Sequence, residues 1–312
     1  MMFPGQGSQS VGMLASLAAA EPVVSDTYSE ASIVLGYDLW ALSQEGPEER
    51  LSETERTQPA MLAAGVAVWR AWQKRGGPAP AAMAGHSLGE YSALVCSGAI
   101  EFTAAVDLVR FRGEAMQRAV PVGTGAMAAI LGLDDPIIEA VCKEIAQGEV
   151  VQPVNYNSPG QTVIAGHASA VARAIDACKA RGAKRAVLLP VSVPSHSALM
   201  KPAAEELRER LRALRIRAPG IRVLAFDAGT YDDADEIRDG LYRQLFNPVR
   251  WSAIVAAMIG AGATHLVECG PGKVLVGLAR RAPGGRDLSL QAVDSPESLD
   301  AALAAADGSR TS

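Results

Sequence analysis

The stretch GHSLG, residues 85–89, restricts the folds open to this chain. It follows a short apolar segment and precedes a helical pattern that Gly98 can close, so Ser87 lies in a strand–turn–helix context. Small residues let the backbone turn sharply, and the helix start supplies positive potential where an oxyanion would form. We therefore predict an α/β fold with Ser87 as an exposed nucleophile. The alternative is a tight strand-to-helix turn with an incidental serine.

Strand and helix patterns alternate along the 312 residues, which is typical of an α/β protein of about two domains. Residues 123–193 have the order strand, helix, strand, strand, helix, strand, which is that of a ferredoxin-like unit. Asp135 caps its first predicted helix, Gly182 ends its second, and its last predicted strand covers 184–193. We predict a small subdomain over 123–193, inserted into a larger α/β catalytic subdomain formed by 1–122 and 194–312.

Composition excludes several classes of protein. The net charge is −5, so no basic excess indicates a nucleic-acid or membrane-surface partner. The four cysteines are scattered, which argues against a disulfide framework or a zinc site, and we expect no metal. Neither a secretory leader nor a membrane-spanning run is expected, so the prediction is a cytoplasmic protein with free thiols.

A serine nucleophile needs a base, and the chain has four histidines. His86 is on the serine turn itself, His265 reads as a strand residue, and His167 reads as a capping or surface residue. His196 follows the last predicted strand of the small unit, where the chain returns to the larger one and a cleft is expected. His196 is therefore the first candidate, although a lone histidine is more often structural.

The predicted helix over residues 101–120 carries an arginine beside its apolar stripe. Arg110, Glu114 and Arg118 are spaced by four and form a solvated charge ladder. Arg112 does not join them, because it lies three residues after Val109 and four before Met116. A buried guanidinium needs a partner. A structural role, in which the guanidinium pairs with an internal carboxylate or reaches out to water, and a role in binding a substrate carboxylate are equally good interpretations from these residues alone.

Eight segments, spread over nearly the whole chain and in order, resemble the malonyl-CoA:acyl carrier protein transacylases of bacterial fatty-acid synthesis. They are FPGQGSQ, GHSLGEYSALV, FRGEAMQ, GTGAMAAILGLDD, VNYNSPGQTVIAGH, PVSVPSHSALMKPA, RQLFNPVRW and GPGKVL. The resemblance implies a hydrolase-like parallel-sheet body with the ferredoxin-like insertion. It also implies a ping-pong reaction through a malonyl-serine, no cofactor beyond the substrate malonyl-CoA, an acyl carrier protein as partner, and a monomer.

The same resemblance assigns roles to residues. Ser87 matches the nucleophile, His196 the general base and acid, and Arg112 the partner of the malonyl carboxylate. The backbone N–H groups of Gln6 and Leu88 match the oxyanion hole, and the backbone carbonyl of Gln244 matches the group that orients the histidine. Asn157 lies in a matching stretch without an assigned role. We expect basic residues to receive an acidic carrier protein, the candidates being Lys184, Arg185, Lys273, Arg280 and Arg281.

Two departures accompany the resemblance. Only three residues precede Pro4, where the family has a longer apolar strand, so we expect a weakened central strand. At residues 223–229 the apolar pair Ala225 and Phe226 replaces amides, so we expect altered local packing. The end of the chain, ADGSRTS, is expected to be disordered.

Three alternatives remain open at this point. A transacylase that loads a polyketide carrier protein would use the same chemistry. A serine thioesterase would need an acidic third residue and would leave Arg112 unexplained. A binding protein without activity would leave the serine, histidine and arginine without a shared purpose.

Overall fold

The computed structural model describes residues 1–191 and 193–308 and contains two β-sheets with helices packed against them. Within those residues the strands are β1 (Met2–Phe3), β2 (Met83–Gly85), β3 (Gly125–Leu131), β4 (Val151–Ser158), β5 (Gln161–His167), β6 (Arg185–Leu188), β7 (Val223–Leu224), β8 (His265–Cys269) and β9 (Ser289–Val293). The α-helices are α1 (Ala15–Ala20), α2 (Val23–Leu35), α3 (Leu39–Glu45), α4 (Glu48–Leu51), α5 (Thr54–Lys74), α6 (Gly89–Cys96), α7 (Phe102–Ala119), α8 (Asp135–Ile145), α9 (Ala168–Ala180), α10 (Lys201–Ala213), α11 (Ala234–Gln244), α12 (Trp251–Gly260), α13 (Val274–Ala279) and α14 (Pro296–Gly308). Short 3-10 helices cover Ala198–Met200 and Gly285–Asp287.

The first sheet is parallel, with the strand order β7-β2-β1-β8-β9. Its central strand β1 is two residues long, and both residues are fully buried. Met2 pairs with Ala84 on one side and with Glu268 on the other, and Phe3 pairs with Gly85. The loop after β1 therefore leaves the sheet beside the serine turn, at the strands' carboxyl ends, where α/β sheets bind ligands.

The second sheet is antiparallel, with the strand order β4-β5-β3-β6. Side chains of β3 alternate between its two faces. Ala126, Ala128 and Ile130 pack in the core with α8 and α9, whereas Met127 packs on the opposite face with Val163. One face of this sheet is thus covered by its own helices, and the other faces the parallel-sheet part of the chain.

The predicted elements of this unit form in the predicted order, with shifted ends. The last strand stops at Leu188 rather than continuing through 193, and Ser192 within the predicted span lies outside the described residues. The predicted cap at Asp135 is wrong by one position, because Asp134 is the N-cap. Asp135 lies in the first turn and accepts a hydrogen bond from Thr162.

The segment with Ala225 and Phe226 packs inward, and both side chains are buried. The Ala225 N–H donates to the Gly229 carbonyl, and the Arg250 N–H donates to the Phe226 carbonyl. The apolar pair therefore joins the core while its backbone groups find partners. The terminal stretch predicted to be disordered begins at Ala306, and that prediction is wrong for residues 306–308, which belong to the helix Pro296–Gly308. Residues 309–312 lie outside the described part of the chain.

Backbone hydrogen bonds join β4 of the antiparallel sheet to the segment between α11 and α12. The Tyr156 N–H donates to the Val249 carbonyl, and the Val249 N–H donates to the Val154 carbonyl, each at 2.9 Å. This junction holds the antiparallel sheet over the carboxyl ends of the parallel strands and leaves a cleft between them.

Candidate active site

The serine turn is held by close backbone contacts. A Cβ on Gly85 would lie 1.8 Å from the Gly89 carbonyl carbon, and one on Gly89 would lie 2.0 Å from the Phe3 carbonyl oxygen. Only glycine fits at both places, so the turn between β2 and α6 is compressed against β1. Ser87 itself has φ of 52°, in the left-handed region that costs a non-glycine residue about 1–2 kcal/mol. This conformation is stored strain at a cleft-facing residue.

Ser87 and His196 form a hydrogen-bonded pair. The Ser87 Oγ lies 2.7 Å from His196 Nε2, and His196 Nδ1 lies 2.7 Å from the backbone carbonyl oxygen of Gln244. A carbonyl only accepts, so Nδ1 carries the proton and Nε2 accepts from the serine hydroxyl. His196 has φ of 63°. The histidine is thereby fixed as a neutral base aimed at the serine.

His196 is also buried, with 2% of its surface exposed. Burial, together with the nearby Arg112 cation, lowers the pKa of His196 to about 3. The imidazole is therefore neutral and able to accept a proton throughout the physiological range.

Two candidate oxyanion donors border the same cavity as Ser87. Leu88 immediately precedes α6, so its N–H belongs to the group at a helix start that has no intrahelical acceptor. Gln6 lies on the loop after β1 and lines the cavity across from it. Two backbone N–H groups near a nucleophilic oxygen are the arrangement that stabilises a tetrahedral oxyanion.

Arg112 lies at the inner end of this cavity and is 2% exposed. Its Nη1 donates to Gln58 Oε1 at 2.8 Å, and its Nη2 donates to Gln244 Oε1 at 3.1 Å. Its Nε has no hydrogen-bond partner, and no carboxylate within the described residues forms an ion pair with it. The interpretation with an internal carboxylate partner is therefore not what the structure contains: the guanidinium has two amide oxygens as acceptors and lies 5.4 Å from the centre of the Tyr91 ring.

A buried carboxylate lies behind the serine and the arginine. Glu90, on α6, accepts a hydrogen bond from the Tyr231 hydroxyl and one at 2.8 Å from Gln244 Nε2. Gln244 Nε2 also donates to the Ser87 carbonyl at 3.0 Å. Burial raises the pKa of Glu90 to about 7.

Sequence reasoning missed Gln58, Glu90, Tyr231 and the side-chain role of Gln244. Gln58 carried a detectable signal, because it is a polar residue beside the long apolar run of α5 and is fully buried. Glu90 carried a weaker one, as an acidic residue in the first turn of a buried helix. Gln58 and Arg112 are 54 residues apart in sequence, and the other pairs are more than 130 apart, which no local pattern reveals.

The cavity between the sheets has a volume of about 240 Å³. The parallel-sheet side contributes Ser87, His196 and Arg112. The antiparallel-sheet side contributes apolar side chains and three amides, which are Met127, Val163, Leu189, Val191, Asn155, Asn157 and Gln161.

The other histidines lie away from the serine oxygen or have other partners. His86 Nε2 lies 2.8 Å from Asn157 Oδ1, so this pair ties the serine turn to β4. His167 is the N-cap residue of α9, and its Nδ1 accepts from the Val150 N–H. His265 begins β8, as predicted, with its ring nitrogen 2.9 Å from the Thr264 hydroxyl.

The five basic residues expected to receive a carrier protein lie in separate places. Arg185 begins β6 with Lys184 just before it, the Lys184 side chain runs over Gly132, and Lys273 is the N-cap residue of α13. Arg280 and Arg281 line a separate surface cavity with Arg286. Arg281 Nη1 donates to Gln161, a residue of the central cavity wall, so these arginines lie beside the cavity.

Among the described residues, no cluster of histidine, cysteine, aspartate or glutamate could hold a metal ion. None of the helices in the described ranges is long and apolar enough to cross a membrane.

Comparison with known proteins gives a consistent set of similarities. The acyl transferase domain family matches residues 1–282. The malonyl CoA-acyl carrier protein transacylase of Escherichia coli K12 is 58% identical over 303 residues, 97% of each chain. A solved malonyl-transacylase in complex with a type II PKS acyl-carrier protein superposes with a TM-score of 0.96, at 57% identity over 98% of both chains. An acyl carrier protein S-malonyltransferase from Vibrio cholerae gives 0.94, at 58% identity over 96% of this chain and 98% of that one.

Proposed function

Because this chain belongs to the acyl transferase family, among its malonyl CoA-acyl carrier protein transacylases, we propose that Ser87 carries the transferred malonyl group. The chain is an acyltransferase that moves malonyl from coenzyme A to the phosphopantetheine thiol of an acyl carrier protein. The observation that carries the proposal is the buried Arg112 guanidinium, which faces the cavity beside Ser87 and His196 without an anionic partner among the described residues.

The first half-reaction forms an ester on Ser87. His196 Nε2 takes the hydroxyl proton while Oγ attacks the thioester carbonyl of malonyl-CoA. The Gln6 and Leu88 N–H groups stabilise the oxyanion of the tetrahedral intermediate. The carbon–sulfur bond then breaks, and His196 returns the proton to the departing sulfur, so free coenzyme A leaves.

The second half-reaction reverses these roles with a new thiol. His196 takes the proton of the phosphopantetheine thiol, and the thiolate attacks the malonyl ester. Oγ leaves and regains its proton from His196. Both steps exchange acyl groups of similar energy, so the protein needs to lower the barrier and keep water from the ester.

Arg112 accounts for the choice of acyl group. Two of its five N–H groups donate to Gln58 and Gln244, which leaves others to bind a carboxylate at the end of a short acyl chain. A malonyl carboxylate would supply the counter-charge that the buried guanidinium lacks. Asn155 and Asn157 lie on the opposite wall of the cavity.

We infer the finer description of the fold from the same arrangement. A nucleophile at the end of a parallel strand supports a hydrolase-like body over 1–122 and 194–312. The strand order β4-β5-β3-β6 with two helices supports a ferredoxin-like subdomain over 123–193. We propose a cytoplasmic location, because the substrate is a coenzyme A thioester, and a reaction without a cofactor.

A carrier protein of polyketide synthesis is the second candidate acceptor, because the transacylase of the first structural comparison is bound to such a carrier. The basic residues Lys184, Arg185, Lys273, Arg280 and Arg281 are the proposed docking residues for either acidic carrier. Transfer rates to the two carriers, measured side by side, decide between them.

Intact-protein mass spectrometry after brief exposure to malonyl-CoA tests the proposal. We expect a single malonyl adduct on the unmodified chain and on Ser92→Ala, which changes a serine within α6, and none on Ser87→Ala. Addition of holo acyl carrier protein should remove the adduct. An adduct lost equally fast to water without carrier would favour a thioesterase, and no adduct at all would favour a binding protein.

A further inference from the structure

Glu90 is a fully buried carboxylate that the steps above do not use. It lies three residues after Ser87 on α6 and has two direct side-chain partners, the Tyr231 hydroxyl on Oε1 and Gln244 Nε2 on Oε2. Both partners donate, so both carboxylate oxygens act as acceptors. Burying an ionised carboxylate costs free energy of folding unless it is paired, so a buried carboxylate beside the cavity indicates a functional role.

The side chain of Gln244 is fully buried and connects Glu90 to the site. Its NH₂ group donates to Glu90 and to the Ser87 carbonyl, and its oxygen accepts from Arg112 Nη2. A primary amide has a donor end and an acceptor end, and rotation by half a turn exchanges them. With the opposite orientation, Gln244 would present N–H groups to the guanidinium, where donor would face donor.

Glu90 and the Ser87 carbonyl together determine which orientation Gln244 adopts. The ionised carboxylate and the carbonyl oxygen only accept, so both select the NH₂ end of the amide and leave its oxygen facing Arg112. The Tyr231 hydroxyl in turn holds Glu90 from the far side. The chain Tyr231–Glu90–Gln244–Arg112 is thus a single hydrogen-bonded path in which each donor meets an acceptor.

Charge adds to this geometry. Arg112 has no ion pair within the described ranges, and Glu90 is the buried carboxylate joined to it through one amide. Burial raises the pKa of Glu90 and lowers the pKa of Arg112, and the attraction between the two charges acts against both shifts. Asp227, Tyr91 and Tyr231 are the other titratable groups whose charge reaches Glu90.

We propose that Glu90, held by Tyr231, is a positioning residue that fixes the Gln244 amide and through it the Arg112 guanidinium for binding a carboxylate-bearing acyl group. This inference rests on the proposed malonyl transfer. It predicts that loss of the Glu90 carboxylate harms malonyl transfer specifically, since acetyl, which has no carboxylate, does not need Arg112 in place.

The test compares acylation of Ser87 by malonyl-CoA and by acetyl-CoA in the unmodified chain and in Glu90→Gln. A glutamine at 90 removes the negative charge and turns a donor toward one partner: toward Gln244 it breaks the path, and toward Tyr231 it forces the hydroxyl to accept instead of donate. We expect the malonyl-to-acetyl ratio of kcat/KM to fall at least about tenfold, with the loss mainly in KM for malonyl-CoA. A purely structural role would lower both activities equally.

Glu268→Gln is the matched control. Glu268 is also fully buried, burial raises its pKa to about 7, and it accepts hydrogen bonds from the Leu275 and Val276 N–H groups. It is not part of the path to Arg112. This variant should lose stability but keep the malonyl-to-acetyl ratio of the unmodified chain.

Tyr231→Phe provides a second variant in case Glu90→Gln does not fold. It should lower the same ratio by a smaller factor, and it should add little in the Glu90→Gln background, because Tyr231 acts through Glu90. Equal losses of malonyl and acetyl transfer in Glu90→Gln and in Tyr231→Phe would overturn the positioning role while leaving the proposed function intact. An unmodified chain that acylates with neither thioester would overturn the proposed function first.

Discussion

On the parallel-sheet side of the cavity lie a serine, a histidine and an arginine, whereas the antiparallel-sheet side is mainly Met127, Val163, Leu189 and Val191. The first group depends on strained backbone. Within the described residues, five positions other than glycine have positive φ, and Ser87 and His196 are two of them. The second group comes from a regular sheet and the segment that follows it, with alternating side chains.

The difference suggests that chemistry and shape are supplied separately. Groups that must bond, accept a proton or hold a charge come from loops and helices at the carboxyl ends of parallel strands. The apolar wall that limits the acyl group comes from the other sheet. Changes on the first side should therefore alter transfer by large factors, and changes on the second side should alter selectivity by small ones.

Arg112→Ala is expected to have the largest effect. Loss of a charge-assisted, buried carboxylate contact should lower kcat/KM for malonyl-CoA on the order of 100-fold, while acetyl transfer is spared or improved. Arg110→Ala, two residues earlier on α7, removes a surface arginine paired with Asp107 and Glu114 and should leave both activities unchanged. An equal loss of malonyl and acetyl transfer in Arg112→Ala would mean that the arginine only supports the fold.

Met127→Ala tests the apolar wall. The shorter side chain enlarges the cavity, so methylmalonyl-CoA should gain on malonyl-CoA by roughly tenfold, near the lower end of the about 1–3 kcal/mol that one methyl group in a pocket is worth. Competition between the two thioesters, followed by the mass of the adduct, measures this. A collapse of transfer as large as that of Arg112→Ala would break the separation between the two sides.

The strain at Ser87 can be measured without reference to catalysis. Ser87→Gly and Ser87→Ala both lose the hydroxyl, but only alanine keeps a Cβ at φ of 52°. Glycine should therefore give the higher free energy of unfolding by about 1 kcal/mol, the reverse of its usual rank against alanine. Urea denaturation of the two variants measures this difference. If alanine gives an equal or higher free energy of unfolding, the backbone at residue 87 is not strained.

The pH dependence of acylation should be the smallest effect. Since burial and Arg112 lower the pKa of His196 to about 3, the base stays neutral as the pH falls. We expect the rate of Ser87 acylation to change less than about twofold between pH 7.5 and 5.5, where an ordinary histidine would lose most of its base form. The low pKa of His196 also makes the free energy of unfolding depend on pH. Below pH 6.5 the unfolded chain binds a proton at His196 while the folded chain does not, so stability falls as the pH drops toward 3.

If the acylation rate of Arg112→Ala begins to fall at a higher pH than that of the unmodified chain, the Arg112 charge contributes to the low pKa of His196. A steep loss near pH 6.5 in the unmodified chain would contradict that low pKa.

Local patterns in the sequence predicted much of this arrangement. The α/β class, the order of elements in 123–193 and the strand–turn–helix at Ser87 each depend on residues within one element of each other. Arg112 was noticeable because helical periodicity placed a charge beside an apolar stripe. His196 was ranked first by its position at a junction between units, and the structure places it against the serine.

What local patterns could not supply is long-range side-chain pairing. The path from Tyr231 through Glu90 and Gln244 to Arg112 joins four segments that meet only after folding. Element ends also moved, as at Leu188 and Asp134, because tertiary packing rather than propensity sets where a strand or helix stops.

The glycines around Ser87 bear on how such chains are detected. Gly85 packs against the backbone of Gly89, and Gly89 packs against the backbone of Phe3. A substitution changes side chains only, so it cannot make room at a backbone contact. No second substitution can therefore compensate for the loss of either glycine, and the two should persist together through divergence. A search pattern built on them recognises a way of packing a turn, and it will also retrieve descendants in which the serine between them has been lost.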